Sequence, residues 1–332
     1  MGSKKFRMIV PAVLAAATVA LTMAQPAQAA GADPGDMQLI TTDGNGNLLH
    51  TIRNYWGNWQ HFGRVGGYSS VTQLTSTYHN GEENAFFMHD EAKLGHVIRH
   101  ADGQWDMLAS APAGGDGAIE LTTADVAGQL TLVAMLGDGS VKTTTEQADG
   151  TWTAWAAVPT DGHAVSSLAA VAEGGTLKVV ELDQDGRNIG EFERSSSGTW
   201  TSDGWTMIAP DSGMVTMSIA AAQVGSTLQV AAIETDWQSN AVYHTTRPDN
   251  GPWQARPGNL TGPITRNSAA APWYVAIAPW EGALQMAYST GGGSLFHTIR
   301  HIDGTWSERG LVQGPAGYVN AGAVTMATNP VD

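Results

Sequence analysis

Apolar and polar residues alternate along this chain in short runs that stop at Gly, Asp or Asn. The stretch "TLVAMLGDGSVKTTTEQADGTWTAWAAV" at 131–158 shows the pattern, an alternating, β-branched text interrupted twice by Asp-Gly. Period-two alternation predicts half-buried strands, and Asp-Gly supplies the positive φ angles of tight hairpin turns. Beyond residue 30 no long segment has a 3.6-residue period, so helices should be scarce and the fold all-β.

The pattern also recurs at long range. "HTIRNYWGNW" (50–59), "HVIRHADGQW" (96–105), "HTTRPDNGPW" (244–253) and "HTIRHIDGTW" (297–306) share His, Arg and Trp at fixed spacing. With the Trp as marker the series is Trp59, Trp105, Trp152, Trp200, Trp253 and Trp306, at intervals of 46, 47, 48, 53 and 53 residues. The His position reads His50, His96, Thr143, Glu191, His244 and His297. The Arg position reads Arg53, Arg99, Glu146, Arg194, Arg247 and Arg300. Six units of four short strands predict a six-bladed β-propeller.

The chain ends predict how the ring closes. "DMQLITTDG" (36–44) matches the second strand of later units, so the first unit lacks its first strand. After the sixth unit comes a surplus "YVNAGAVTMATNP" (318–330), similar to first strands such as "MVTMSIAAAQ" (214–223). The C-terminal strand should complete the N-terminal blade, which removes the open sheet edge. The expected blades are 36–68 with 318–332, then 69–117, 118–163, 164–213, 214–269 and 270–317, within one domain at 30–332.

Residues 1–29 fall outside that scheme. Lys4, Lys5 and Arg7 precede a short apolar core and "AQA" at 27–29, the layout of a secretory signal peptide, so a secreted, extracellular protein is expected. The chain has no cysteine, which excludes disulfides, thiolate metal sites and a Cys nucleophile. A formal net charge of −15, more negative still without the leader, argues against nucleic acid and anionic lipid as partners. No membrane insertion is expected.

"LFHTIRHIDGTW" (295–306) and its sisters resemble the repeats of bacterial PLL-type propeller lectins and related secreted actinomycete proteins, and more loosely the tectonin-type lectins. The resemblance covers essentially the whole chain after the leader. It implies monosaccharide binding, often of fucose, in pockets between adjacent blades. PLL-type proteins generally have seven blades, whereas six units are counted here, as in the fungal fucose lectins.

The repeated residues suit that chemistry. If Asp303-Gly304 is a two-residue turn, His301 pairs with Trp306, and His297 and Trp306 share one blade face while Thr298 and Arg300 share the other. Stacked blades would then line a groove with an aromatic ring, an imidazole and a guanidinium. The ring packs on the apolar face of a sugar, and the planar fork bonds adjacent hydroxyls. The expected carbohydrate-binding residues are His50, Arg53, Trp59, His96, Arg99, Trp105, His244, Arg247, Trp253, His297, Arg300 and Trp306. Grooves between blades 1 and 2, 5 and 6, and 6 and 1 hold the full set. A second role fits each residue too: Trp as inter-blade packing, Arg as a ligand of backbone carbonyls.

Other chemistries find less in the text. Asp and Gly are adjacent in "ADGQW" and "IDGTW", unlike the Ser-x-Asp-x-Gly-x-x-Trp boxes of sialidases. Glu82, Glu83, Asp90 and Glu91 read as a solvated cluster rather than as opposed catalytic carboxylates. "DGNGN" (43–47) and "DQDG" (183–186) alternate oxygen donors as a calcium loop does, but without its downstream Glu. The expectation is a lectin without catalysis, cofactor or metal, whose partners are glycans or glycoconjugates. A protein-interaction or targeting subunit of a larger secreted assembly is the alternative, and a glycoside-cleaving propeller enzyme stands behind both.

Overall fold

The computed structural model describes residues 32–208, 213–248, 251–254, 258–262, 264–312 and 319–330; the expected leader lies outside them. Among the described residues the strands form six antiparallel sheets, each ordered from an inner strand outwards. Blade 2 is typical, with Gln73–His79, Glu82–His89, Lys93–Arg99 and a short Trp105–Asp106. Blade 5 adds a piece at Ile264–Thr265 that pairs back on Ser239 and Asn240. This extra strand lies within one of the two longer repeat intervals.

Ring closure is as expected. Val324–Thr328 pairs antiparallel with Met37–Thr42, with Met37 opposite Thr328 and Thr41 opposite Val324. The inner strands of all blades pack side by side around the axis. Their channel-facing edges are stitched by neighbours: Ser76 N–H donates to Thr325 Oγ1 at 2.9 Å, and Ala170 N–H to Thr122 Oγ1 at 2.9 Å. Side chains thus satisfy backbone groups that a sheet edge would leave open.

The apolar core is divided into six clusters, one per blade interface. That follows from alternation, because each blade buries both faces against its two neighbours. Between blades 6 and 1, for example, Met37 and Leu39 meet Ala287 and Leu295, with Val324 and Met326 of the closing strand. No helix of the described residues is long and apolar enough to cross a membrane.

Candidate functional site

The repeated turn differs from the two-residue hairpin expected for it. His301 N–H bonds Thr305 C=O at 2.8 Å, Gly304 N–H bonds His301 C=O at 2.9 Å, and Arg300 lies opposite Trp306. Gly304 has φ +86°, while Asp303 is not left-handed and uses its carboxylate on Thr305 N–H. A single left-handed residue makes a three-residue turn, whereas the two-residue type needs two. The pairing therefore moves by one residue and flips the Trp to the other face. Arg53–Trp59, Arg99–Trp105 and Arg194–Trp200 pair in the same way. Trp shares a face with Arg, not with His.

Stacking still brings the three groups together, now as the His of one blade against the Trp and Arg of the next. His50 meets Trp105 edge-to-face at 5.3 Å, His244 meets Trp306 at 5.2 Å, and His297 meets Trp59 at 5.4 Å. These are grooves 1/2, 5/6 and 6/1, the three expected to be complete. His96 instead reaches Trp152, at 6.3 Å, in a groove where Glu146 replaces the Arg.

Each imidazole is buried and held by an amide on the neighbouring strand. Nε2 of His50, His244 and His297 contacts Oε1 of Gln38, Gln229 and Gln285 at 2.8, 2.8 and 2.5 Å, and Nε2 of His96 contacts Oδ1 of Asn84 at 3.0 Å. This amide partner, twelve or fifteen residues before the His, is a repeat position that the motif alone did not reveal. Burial pushes the imidazoles down, His96 to about 4 and His244 and His297 to about 3. For His244 and His297 the charges of Arg300 and Arg53 act in the same direction. The histidines are neutral groove floors.

The other repeated residues have structural duties. All six turn tryptophans pack on the inter-blade cores while remaining partly exposed. Thr51 and Thr298 donate to the carbonyls of Gln60 and Ser307 and fasten the outer segment. Gly57 and Gly304 let the arginine lie over the turn, because a Cβ there would stand 2.9 and 3.2 Å from Nη2 of Arg53 and Arg300.

The arginines separate the grooves. Arg53 and Arg300 are half-buried and have no carboxylate partner within salt-bridge distance among the described residues. Arg99 is 1 % exposed and lies opposite Glu83 across the strand pair. Arg247 bonds the Glu191 carboxylate and, at 2.8 Å, Asp203. Arg194 reaches Thr145 Oγ1 at 3.3 Å, in a groove where Thr143 replaces the His.

One carboxylate stands elsewhere than expected. Glu83 is fully buried in the strand Glu82–His89, not solvated, and burial raises its carboxyl against the opposing pull of Arg99. Asp43 and Asp183 turn their oxygens onto the backbone and side-chain amides of their own loops, including Asn47 and Asn188. Glu191, Glu193 and Asp203 cluster closely enough to hold a cation, but Lys178 and Arg247 already neutralise them. Among the tryptophans outside the repeat, Trp155 and Trp205 pack on the core, while Trp237 and Trp273 flank Arg266 at 4.9 and 5.5 Å from its guanidinium carbon. Concave space also runs along the axis, lined by inner-strand Ser, Thr and Ala, away from these grooves.

No family model matches the chain, and no curated protein matches it by sequence. Its fold is similar to that of solved lectins. The BP39L lectin of Burkholderia pseudomallei superposes with a TM-score of 0.60 at 15 % identity, over 86 % of this chain and 99 % of that one. The six-bladed Aleuria aurantia lectin gives 0.62 at 15 % identity, over 86 % and 95 %. AofleA of Arthrobotrys oligospora gives 0.65 at 13 % identity, over 91 % and 89 %. At such identities the likeness establishes the six-bladed propeller fold.

Proposed function

We propose that the protein is a non-catalytic, multivalent lectin for neutral sugars, with its working sites in grooves 5/6 and 6/1. The observation that carries this is a guanidinium with no carboxylate partner among the described residues, beside a partly exposed indole, in a protein with an excess of acids. Arg300 with Trp306, over the His244 floor, forms one such pair; Arg53 with Trp59, over His297, forms the other. A guanidinium fork donates to two adjacent hydroxyls, and the indole covers the apolar C–H face of the same ring.

The fold relatives support a fucose-type ligand. SapL1 is described in complex with alpha methyl fucoside, and a point mutant of the Aleuria aurantia lectin in complexes with alpha-methyl-L-fucoside and Fucalpha1-6GlcNAc. The repeat spelling links the chain further to PLL-type lectins, and the leader-like residues 1–29 support export. A glycan array probed with the protein tests the reading. Signal on fucosylated or other neutral glycans is expected; silence on every glycan, with hydrolysis of a fluorogenic glycoside, would replace the lectin by an enzyme.

A further inference from the structure

The turn of blade 1 departs from those of blades 2, 3 and 6 in a way the fold does not require, and among the six turns its central residue is the one aromatic. In "HADGQ" (100–104), "QADGT" (147–151) and "HIDGT" (301–305) the central residue is Asp. Asp102, Asp149 and Asp303 each accept the N–H two residues on, at 2.9 Å, which stabilises the turn. In "NYWGN" (54–58) that place belongs to Trp56. The side-chain bond of this turn is moved to Asn54, whose Oδ1 accepts Asn58 N–H at 2.8 Å. The turn is kept, and an indole stands in water where a carboxylate would do.

Trp56 is 82 % exposed and Tyr55 47 %, so core packing explains neither. They are nevertheless ordered against each other. Tyr55 meets Trp56 edge-to-face at 5.4 Å and leans on Trp280 at 6.2 Å. Tyr55 N–H is bonded to Asp36 Oδ1 at 2.8 Å, and Trp280 Nε1–H to Gly35 C=O at 2.9 Å. Trp280 also forms a wall of a crevice of about 240 Å³ bordered by Pro279, Pro330 and Gln223. Gly57 in the same loop lies under the Arg53 guanidinium. An aromatic row thus runs from groove 6/1 to a crevice nearer the axis. The loop of groove 5/6 carries Ile302 and Asp303 in place of Tyr55 and Trp56.

We infer that Tyr55, Trp56 and Trp280 form an extension subsite for the sugar next to the one held at Arg53. The inference rests on the lectin reading and sharpens it: groove 6/1 selects a neutral oligosaccharide over a monosaccharide, and groove 5/6 does not. Indole and phenol faces suit the C–H face of a second pyranose. Asp36 and Glu281 beside the row disfavour acidic sugars.

The test uses an array printed with fucose, galactose, mannose and N-acetylglucosamine, each as monosaccharide and as a disaccharide ending in that sugar. Arg300→Ala in every sample silences groove 5/6, so the ratio of disaccharide to monosaccharide affinity reports on groove 6/1. Trp56→Ala is expected to lower that ratio by about three- to tenfold, and Trp56→Phe, which keeps a ring, to retain most of it. Unfolding of both variants is monitored, and the exposure of Trp56 predicts no change. An unaltered ratio with Trp56→Ala overturns the subsite while leaving the lectin standing. Absence of binding to any glycan by the wild-type chain refutes the lectin reading, and the subsite with it.

Discussion

Grooves 6/1 and 4/5 occupy the same place in the repeat and reach opposite ends. In groove 6/1 the floor is His297, neutral and bonded to Gln285, and the half-buried Arg53 guanidinium of the next blade has no carboxylate partner among the described residues. In groove 4/5 the His is replaced by Glu191 and its amide partner by Lys178, 3.2 Å away. Glu191 then takes the Arg247 guanidinium, and Asp203 takes its other nitrogen. One exchange at two facing positions turns an open donor into a closed ion network. An arginine in the motif therefore does not by itself leave an open donor: acids of the preceding blade close Arg247, and Arg99 is buried opposite Glu83 of its own blade.

The largest expected effect concerns closure, on which groove 6/1 depends and groove 4/5 does not. Deleting 318–332 removes Val324–Thr328 and, from the 6/1 core, Val319, Ala321, Val324 and Met326. An insoluble or non-cooperatively melting product is expected by calorimetry, whereas a soluble, cooperative truncation would refute closure. Next, Arg53→Ala or Arg300→Ala should each weaken glycan binding at its own groove by roughly ten- to a hundredfold, the effect of losing a charged donor. Titration calorimetry reads this directly.

Arg247→Ala should do the reverse, leaving glycan affinity unchanged and destabilising the fold. Removing one partner of a buried pair costs about 3–5 kcal/mol. Lys178 remains beside Glu191, so a loss of roughly 2 kcal/mol in urea unfolding is expected. A change in glycan affinity instead would show that the network opens for ligand. Replacing Arg53, Arg99, Arg247 and Arg300 together is expected to harm folding as well as binding, because Arg99 and Arg247 are structural.

Acid should separate the two grooves again. His244 and His297 titrate near 3 when folded against 6.5 in the unconstrained group, so unfolding takes up protons between those values. Their contribution is complete above about pH 6.5 and is lost as pH falls towards 3; at pH 5 each disfavours the fold by about 2 kcal/mol. Hydrogen exchange at pH 5 should rise in Leu295–Arg300 and Ser239–Pro248 before Asn188–Arg194, which carries Glu191 in place of His. Uniform exchange across the three strands would count against this. The smallest effect is reserved for Arg194→Ala, in a groove without His, which should leave glycan binding within error.

Blade number and closure were legible because they rest on spacing and period-two alternation, which the Trp series and the surplus 318–330 strand display openly. The turn register was not. Asp-Gly serves two- and three-residue loops alike, and only the backbone of Asp303, not left-handed beside a left-handed Gly304, distinguishes them. The same register places Trp59, Trp105, Trp200 and Trp306 opposite their arginines. The fate of Arg247 was hidden for another reason: Lys178, Glu191 and Asp203 lie on three neighbouring strands of blade 4 and meet Arg247 only when blade 5 stacks on them. Glu83 misled through its neighbours, since a carboxylate among Glu82, Asp90 and Glu91 reads as solvated until Arg99 is found opposite it.

Counting bound ligands tests the central claim most directly. Native mass spectrometry of the chain titrated with methyl α-L-fucoside should show occupancy stopping at two per chain, one for each open guanidinium. Arg53→Ala or Arg300→Ala should each remove one, and Arg247→Ala neither. Retention of both ligands by the Arg53→Ala, Arg300→Ala double variant, or loss of one with Arg247→Ala, would contradict the account.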